Sequence, residues 1–151
     1  MSRRRGRQRG GSIVEMALML PWYVFFFVGT YDWGFYAHAL ISTESAARVA
    51  AELTSQSTAQ AANQSTACIL ATEELRIMNN MRGTGTPTCS ASPLIVTAAQ
   101  VGPGQTNTNS ADLEPASQIT VQYTTVGLIS IPGLLKGSAT IYRVVQMRLR
   151  S

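Results

Sequence analysis

The sequence contains few of the side chains that perform catalysis or bind metal ions. Its 151 residues include one histidine, His38, and two cysteines, Cys68 and Cys89. Two cysteines alone cannot supply the four ligands of a tetrahedral zinc site, and His38 lies in a different context. The segment VGPGQTN lacks the lysine and the GxxxxGKS/T spacing of a phosphate-binding loop. We therefore expect neither an enzyme nor a bound cofactor.

Charged residues are also scarce, at 13% of the chain, and the positive charge is concentrated at one end. Five of the twelve Lys and Arg residues precede residue 10, which leaves seven basic against eight acidic residues in the rest of the chain. A nucleic-acid-binding protein carries basic residues along one face of its folded part. The nearly neutral body of this chain therefore argues against a nucleic-acid partner.

The longest apolar run is almost free of charge, because only Asp32 is charged between Met16 and Phe35. Twenty residues at about 1.5 Å each span the roughly 30 Å hydrocarbon core of a membrane. The alternative, a buried core helix, would show a polar face, which this run lacks. We predict a basic leader over residues 1–10, a transmembrane helix over 11–37 and an exported domain over 38–151.

The arginines of the leader predict the orientation of this helix, because basic residues stay on the cytoplasmic side. The N-terminus is then cytoplasmic and the C-terminal domain extracytoplasmic.

Pro21 lies inside the run, and we expect a kink or local unwinding near Met16–Ala17. The tripeptide Ala37–Ala39 looks like a signal-peptidase site, so a released domain is a weaker alternative. The apolar region exceeds the usual length of such a signal.

A single carboxylate, Glu15, stands at the start of the apolar run, where an unpaired charge is costly. The surrounding residues, GSIVEMALMLP over Gly11–Pro21, follow the arginine- and glycine-rich leader MSRRRGRQRG. This start resembles the TadE-like proteins of tight-adherence (Flp) pilus systems, within the type IV pilin superfamily. Two later segments, YDWGFYAHALISTESAARVAAE and the strands around PGLL, are similar to the same family.

The resemblance implies a role for the N-terminal residues. A prepilin peptidase would cut after Gly10, so that Gly11 becomes the N-terminus and Glu15 the fifth residue. Glu15 would then pair with the protonated α-amino group of an adjacent subunit. The implied protein is a pseudopilin or minor pilin of the bacterial inner membrane. Its implied partners are other pilin subunits, the pilus assembly platform, membrane lipid and the peptidase. An uncleaved, single-pass anchored protein with an external binding domain is the alternative.

The exported part predicts an α+β, pilin-like head. The membrane helix is expected to continue to Leu53, and a second helix to run from Thr58 to Met81. Apolar residues alternate with polar ones over 119–124 and, less regularly, over 141–149, which predicts strands of a small antiparallel sheet. The IPGLLKGS segment supplies the turn between these strands.

If this head is exported, a disulfide between Cys68 and Cys89 is the natural reading, and two unrelated buried thiols are the alternative. Gly83 is the expected stop signal of the second helix. The segment Gly102–Ser117 is polar, and it is either a disordered loop or a loop that contacts a partner.

Overall fold

The computed structural model describes residues 9–78, 80–82, 89–102, 114–126 and 137–150. Within these residues, helix α1 spans Arg9–Thr54 and helix α2 spans Gln64–Leu75. The strands of the same part are β1 Ser90–Ala91, β2 Leu94–Val101, β3 Ala116–Thr124 and β4 Thr140–Arg148. The predicted α+β class, with a long apolar N-terminal helix, a second helix and a small antiparallel sheet, is confirmed.

The chain divides into two compact units, Met1–Phe35 and Tyr36–Ser151. The described part of the first, the N-terminal unit, consists of the first residues of α1. The second, the C-terminal unit, contains the end of α1, helix α2 and the sheet. The boundaries predicted at residues 10 and 37 stay predictions.

The sheet is antiparallel throughout, with the strands in the order β1-β2-β3-β4. Alternate residues of β3 face the core, as predicted: Ile119, Val121 and Tyr123 are buried. Their partners on β4 are Val145, Arg143 and Ile141 in that order, so these side chains share the core face of the sheet.

Small side chains form the helical part of the core. The alanines of α1 that are fully buried are Ala39, Ala46, Ala47, Ala50 and Ala51. Helix α2 contributes Ala67, Cys68, Ala71 and Leu75 to the same cluster, which also includes the core face of the sheet. Residues of this size let a helix backbone approach its neighbours closely, and they favour the helix by their propensity.

Helix α2 is shorter than predicted at its start, because it begins at Gln64 instead of Thr58. Residues 58–62 form turns. Asn63 then caps the helix: its side chain accepts a hydrogen bond from the Thr66 backbone N–H at 3.2 Å. An asparagine in this position satisfies a donor that the first helical turn leaves free, so it fixes the starting residue.

The helix also ends earlier than predicted, at Leu75 instead of Met81. Beyond this point the backbone N–H groups of Met78 and Met81 bond to carbonyls three residues earlier, at 2.9 and 3.0 Å, which is the spacing of turns. The predicted buried face is nevertheless correct, because Ala61 and Met78 at its two ends are buried.

Three predictions concern residues outside the described part of the chain: the stop at Gly83, most of the IPGLLKGS turn, and residues 103–113 of the predicted loop. The end of that loop was placed too late, because Ala116 and Ser117 already belong to β3. Both are buried, which the polar appearance of the segment did not indicate.

Candidate functional site

The N-terminal unit presents large apolar side chains on every side of its helix. We call residues 11–35 the apolar segment. Most of its large hydrophobic residues are exposed, with exposed fractions from 49% for Phe25 to 75% for Phe27, while Val28 and Phe35 are partly buried. Successive residues of an α-helix point about 100° apart, so exposure of Phe25, Phe26 and Phe27 together leaves no shielded face. Such a surface requires contact with lipid or with other helices.

Length and composition agree with this requirement. The helix has a stretch with a mean hydropathy of 1.7, enough to cross a membrane, and no part of that stretch is buried. The apolar segment is thus an exposed N-terminal helix with the properties of a membrane anchor.

Glu15 is an exposed carboxylate in the second turn of α1. It lies four residues after Gly11, and therefore on the same face of the helix, one turn further along. Among the residues that the structure describes, none forms a hydrogen bond or ion pair with Glu15. The partial positive charge of a helix N-terminus fades within the first turn, so it stabilises this carboxylate little.

The predicted cleavage residues Gly10 and Gly11 lie in the first turn of α1. A Cβ atom at Gly11 would meet no atom within 4 Å. Pro21 lies six residues beyond Glu15, and α1 runs through it. Met16 and Ala17 keep the α-helical state, so local unwinding is not observed there, and a kink stays a prediction.

Residues 10–52 match the family model described as TadE-like protein. The chain carries a TadE-like segment. The match confirms the resemblance seen in GSIVEMALMLP, and it includes Glu15 and Pro21. It supports a pilin-like protein associated with tight-adherence pili, and this family is a structural one. No curated protein and no solved structure matches the chain.

The TadE-like segment ends at residue 52, so α2 and the sheet lie outside the match. This part contains the predicted disulfide, which is confirmed: Cys68 of α2 is bonded to Cys89, the residue before β1. Their Cα atoms are 5.8 Å apart. Both cysteines are buried, and the Thr72 hydroxyl lies 3.7 Å from the Cys89 Sγ atom. The bond links α2 to the first strand of the sheet.

Sequence reasoning missed a second link between α2 and the sheet. The Gln64 side-chain amide donates through Nε2 to the Val96 carbonyl and accepts at Oε1 from the Ala98 backbone N–H, the latter at 2.8 Å. Both backbone groups lie on the edge of β2 that faces away from β3. The amide thus occupies the place of one residue of an adjacent strand. No local signal in the sequence identifies it.

Two further polar contacts join distant parts of the C-terminal unit. The hydroxyls of Thr54 and Ser117 lie 2.8 Å apart, and Ser117 also donates to the Ala61 carbonyl at 3.0 Å. Tyr123 donates its phenol to the Asn80 Oδ1 atom. Burial raises the pKa of the Tyr123 phenol, and the hydrogen bond to Asn80 opposes that change.

Metal-binding geometry is not found in this part of the molecule. Within the ranges that the structure describes, no three His, Cys, Asp or Glu side chains come together. The candidate functional site is therefore the apolar segment with Glu15.

Proposed function

We propose that this chain is a membrane-anchored pseudopilin or minor pilin-like subunit of a tight-adherence pilus system. It acts by packing its N-terminal helix against the helices of related subunits in the bacterial inner membrane. The proposal rests on the TadE-like match together with the exposed apolar segment, which has the carboxylate Glu15 near its start. Its partners are other pilin-like subunits, the inner-membrane assembly platform and lipid.

The exposed surface supports helix association as the mode of action. A helix that only anchored a domain would need apolar residues but no carboxylate at this depth, because a charge in the membrane costs free energy. Glu15 therefore needs a cationic partner. Arg9 precedes it in the same helix, and the new α-amino group would be available once a prepilin peptidase cuts between Gly10 and Gly11. A neighbouring subunit can supply the same amine in trans.

The charge distribution and the disulfide support the proposed orientation. The leader contains Arg3, Arg4, Arg5, Arg7 and Arg9, which favours a cytoplasmic N-terminus. The bond between Cys68 and Cys89 is typical of an oxidising compartment such as the periplasm. Both features favour a single-pass protein with its C-terminal unit outside the cytoplasm.

The processing step is tested by intact mass spectrometry of the chain extracted from membranes. We expect a mature chain that begins at Gly11 when a prepilin peptidase is co-expressed, and the full-length chain without it. Gly10→Val is expected to block the shortening. Gly11→Ala is the matched control, because the structure leaves room for its methyl group. A full-length chain under all conditions would favour the uncleaved anchored protein, and loss of residues 1–39 would favour the released domain.

The pairing role of Glu15 is tested by co-purification with pilus components. Glu15→Ala and Glu15→Gln are expected to insert normally but to lose association. Without the Glu15 carboxylate, the α-amino group of the neighbouring subunit is left unpaired, and an unpaired charge in a low-dielectric site costs roughly 3–5 kcal/mol. Asp32→Asn removes the other carboxylate of the apolar segment and is expected to leave association intact. Unchanged co-purification of both Glu15 variants would refute the pairing.

A further inference from the structure

The outer edge of strand β4 presents backbone groups that can bind a further strand. Among the described strands, β4 is the last of the sheet and pairs only with β3. Flanking hydrogen bonds fix its phase: Thr125 N–H donates to the Ala139 carbonyl, and Leu149 N–H donates to the Pro115 carbonyl. Odd-numbered residues of β4 therefore bond to β3, and the backbone groups of even-numbered residues point away from the sheet.

Two of these outward groups have hydrogen-bond partners within the described part of the chain. Arg150 N–H donates to the Ser55 carbonyl at 3.0 Å, and the Tyr142 carbonyl accepts from the Arg143 Nη1 atom at 3.2 Å. Between them, the described part of the chain supplies no hydrogen bond to the outward groups of Val144 and Gln146. Val144 and Gln146 are consecutive outward-facing residues of β4. Their backbone N–H and C=O groups can form the hydrogen bonds that an added strand needs.

A groove runs beside this edge. It has a volume of about 500 Å³ and is lined by Glu44 and Arg48 of α1 and by residues 143–147 of β4. Arg48 and Glu44 form an ion pair at 2.5 Å and neutralise each other. Arg143 has no carboxylate partner among the described residues. Among the described residues that line the groove, Arg143 is therefore the one charged side chain without a counter-charge.

The charge of β4 selects the occupant. The strand contains Arg143 and Arg148 and no acidic residue, so the β4 edge of a second copy offers no carboxylate to pair with Arg143. An acidic segment would instead meet Arg143. Next to it on the same face lie Val145 and Met147, which are partly buried and suit apolar partners.

We propose that the β4 edge binds an extended, acidic segment of another polypeptide as an added antiparallel strand. The segment carries a carboxylate opposite Arg143 and apolar side chains two residues away, so that the acid and the apolar groups share one face. Its intervening residues exchange backbone hydrogen bonds with Val144 and Gln146. This binding does not depend on the N-terminal helix or on its processing.

The test uses the full-length chain in detergent micelles and fluorescently labelled peptides, with binding measured by anisotropy. The peptide TVTETVT has the proposed pattern, and TVTKTVT reverses its charge. We expect the lysine peptide to bind about tenfold more weakly, since it replaces an opposite-charge cross-strand pair with a like-charge one. N-methylation of the threonines removes the N–H groups that face β4 and is expected to abolish binding. N-methylation of the valines is the control and is expected to preserve it.

The variant Arg143→Glu is expected to reverse the preference, so that TVTKTVT binds and TVTETVT does not. A gain of binding to the lysine peptide shows that the variant is folded. Arg82→Glu, an exposed arginine outside the groove, is the matched control and is expected to keep the original preference. Equal binding of the two peptides, binding of neither, or tolerance of N-methylated threonines would overturn the proposal.

Discussion

Removal of the disulfide should lower the stability of the C-terminal unit substantially. Cys68 and Cys89 are separated by 21 residues. A cross-link that closes a loop of this size restricts the unfolded chain, and the entropy model assigns it roughly 3 kcal/mol at 25 °C. We therefore expect the double substitution Cys68→Ala with Cys89→Ala to lower the free energy of unfolding by about 3 kcal/mol.

The structure indicates why the folded state should survive this change. Both cysteines lie in the core cluster beside Ala71 and Leu75, and alanine retains the apolar character of each site. Gln64 still links α2 to β2. For a unit of this size each kcal/mol corresponds to roughly 4 °C in the unfolding midpoint, so the expected shift is about 12 °C.

The assay is thermal and urea unfolding of the full-length chain in detergent, followed by near-ultraviolet circular dichroism, which reports on the packing of the buried Tyr123. Wild type with a reducing agent should unfold near the midpoint of the double variant, while the variant should be insensitive to the reductant. If reduced wild type retained the midpoint of the oxidised protein, the cross-link would not stabilise the fold and the reasoning would fail.

Two further perturbations test the polar contacts of the sheet. Gln64→Ala should lower the free energy of unfolding by about 1 kcal/mol, because the Ala98 N–H and the Val96 carbonyl lose their partner. It should also speed hydrogen exchange of the Ala98 amide, and unchanged exchange would contradict the contact. Burial raises the pKa of Tyr123 above its usual 10.0, so its stabilising contribution is complete below pH 10 and is lost as the pH rises further. Tyr123→Phe should flatten this loss of stability at alkaline pH. At neutral pH it should lower the free energy of unfolding by about 1 kcal/mol, because the Asn80 acceptor loses its donor. An equally steep loss of stability in the variant would refute the assignment.

Features with a regular sequence period could be predicted. The continuous hydropathy of the N-terminal run identified α1, and strict alternation over Ile119–Tyr123 identified β3 and its buried face. Helix α2 was recognised by its buried positions, but its ends were not. Asn63 could have been identified as an N-cap from its residue type, although the preceding alanines favour a helix that starts earlier.

The contacts that hold α2 on the sheet depend on residues far apart in the chain, and a local pattern cannot reveal them. Gln64 bonds to a strand more than 30 residues away. The hydroxyls of Thr54 and Ser117 are 63 positions apart. Glutamine, serine and threonine are mostly found at exposed sites, so their residue types do not indicate a contact inside the fold.

Arg143 interrupts the apolar parity of the last strand, and its position in the sheet explains why the fold tolerates it. The residue lies on the core face, but on the end strand of the described sheet, where its side chain extends to the strand edge and bonds to the Tyr142 carbonyl. A long side chain can keep its stem on an apolar surface and its charge in water.

The two sides of the sheet are protected from further strand pairing in different ways, and this difference bears on the function of Arg143. On the β2 side, β1 and the Gln64 amide occupy the edge with groups that satisfy its hydrogen bonds. On the β4 side, charged residues stand where a neighbour would add, a common protection against aggregation. If Arg143 only protected the β4 edge from pairing, the edge would exclude acidic and basic strands alike. Arg143→Ala would then promote self-association of the chain, and Arg143→Glu would block pairing as well as arginine does. Selective capture of acidic strands, with reversal in Arg143→Glu, is expected only if the arginine also recognises a partner.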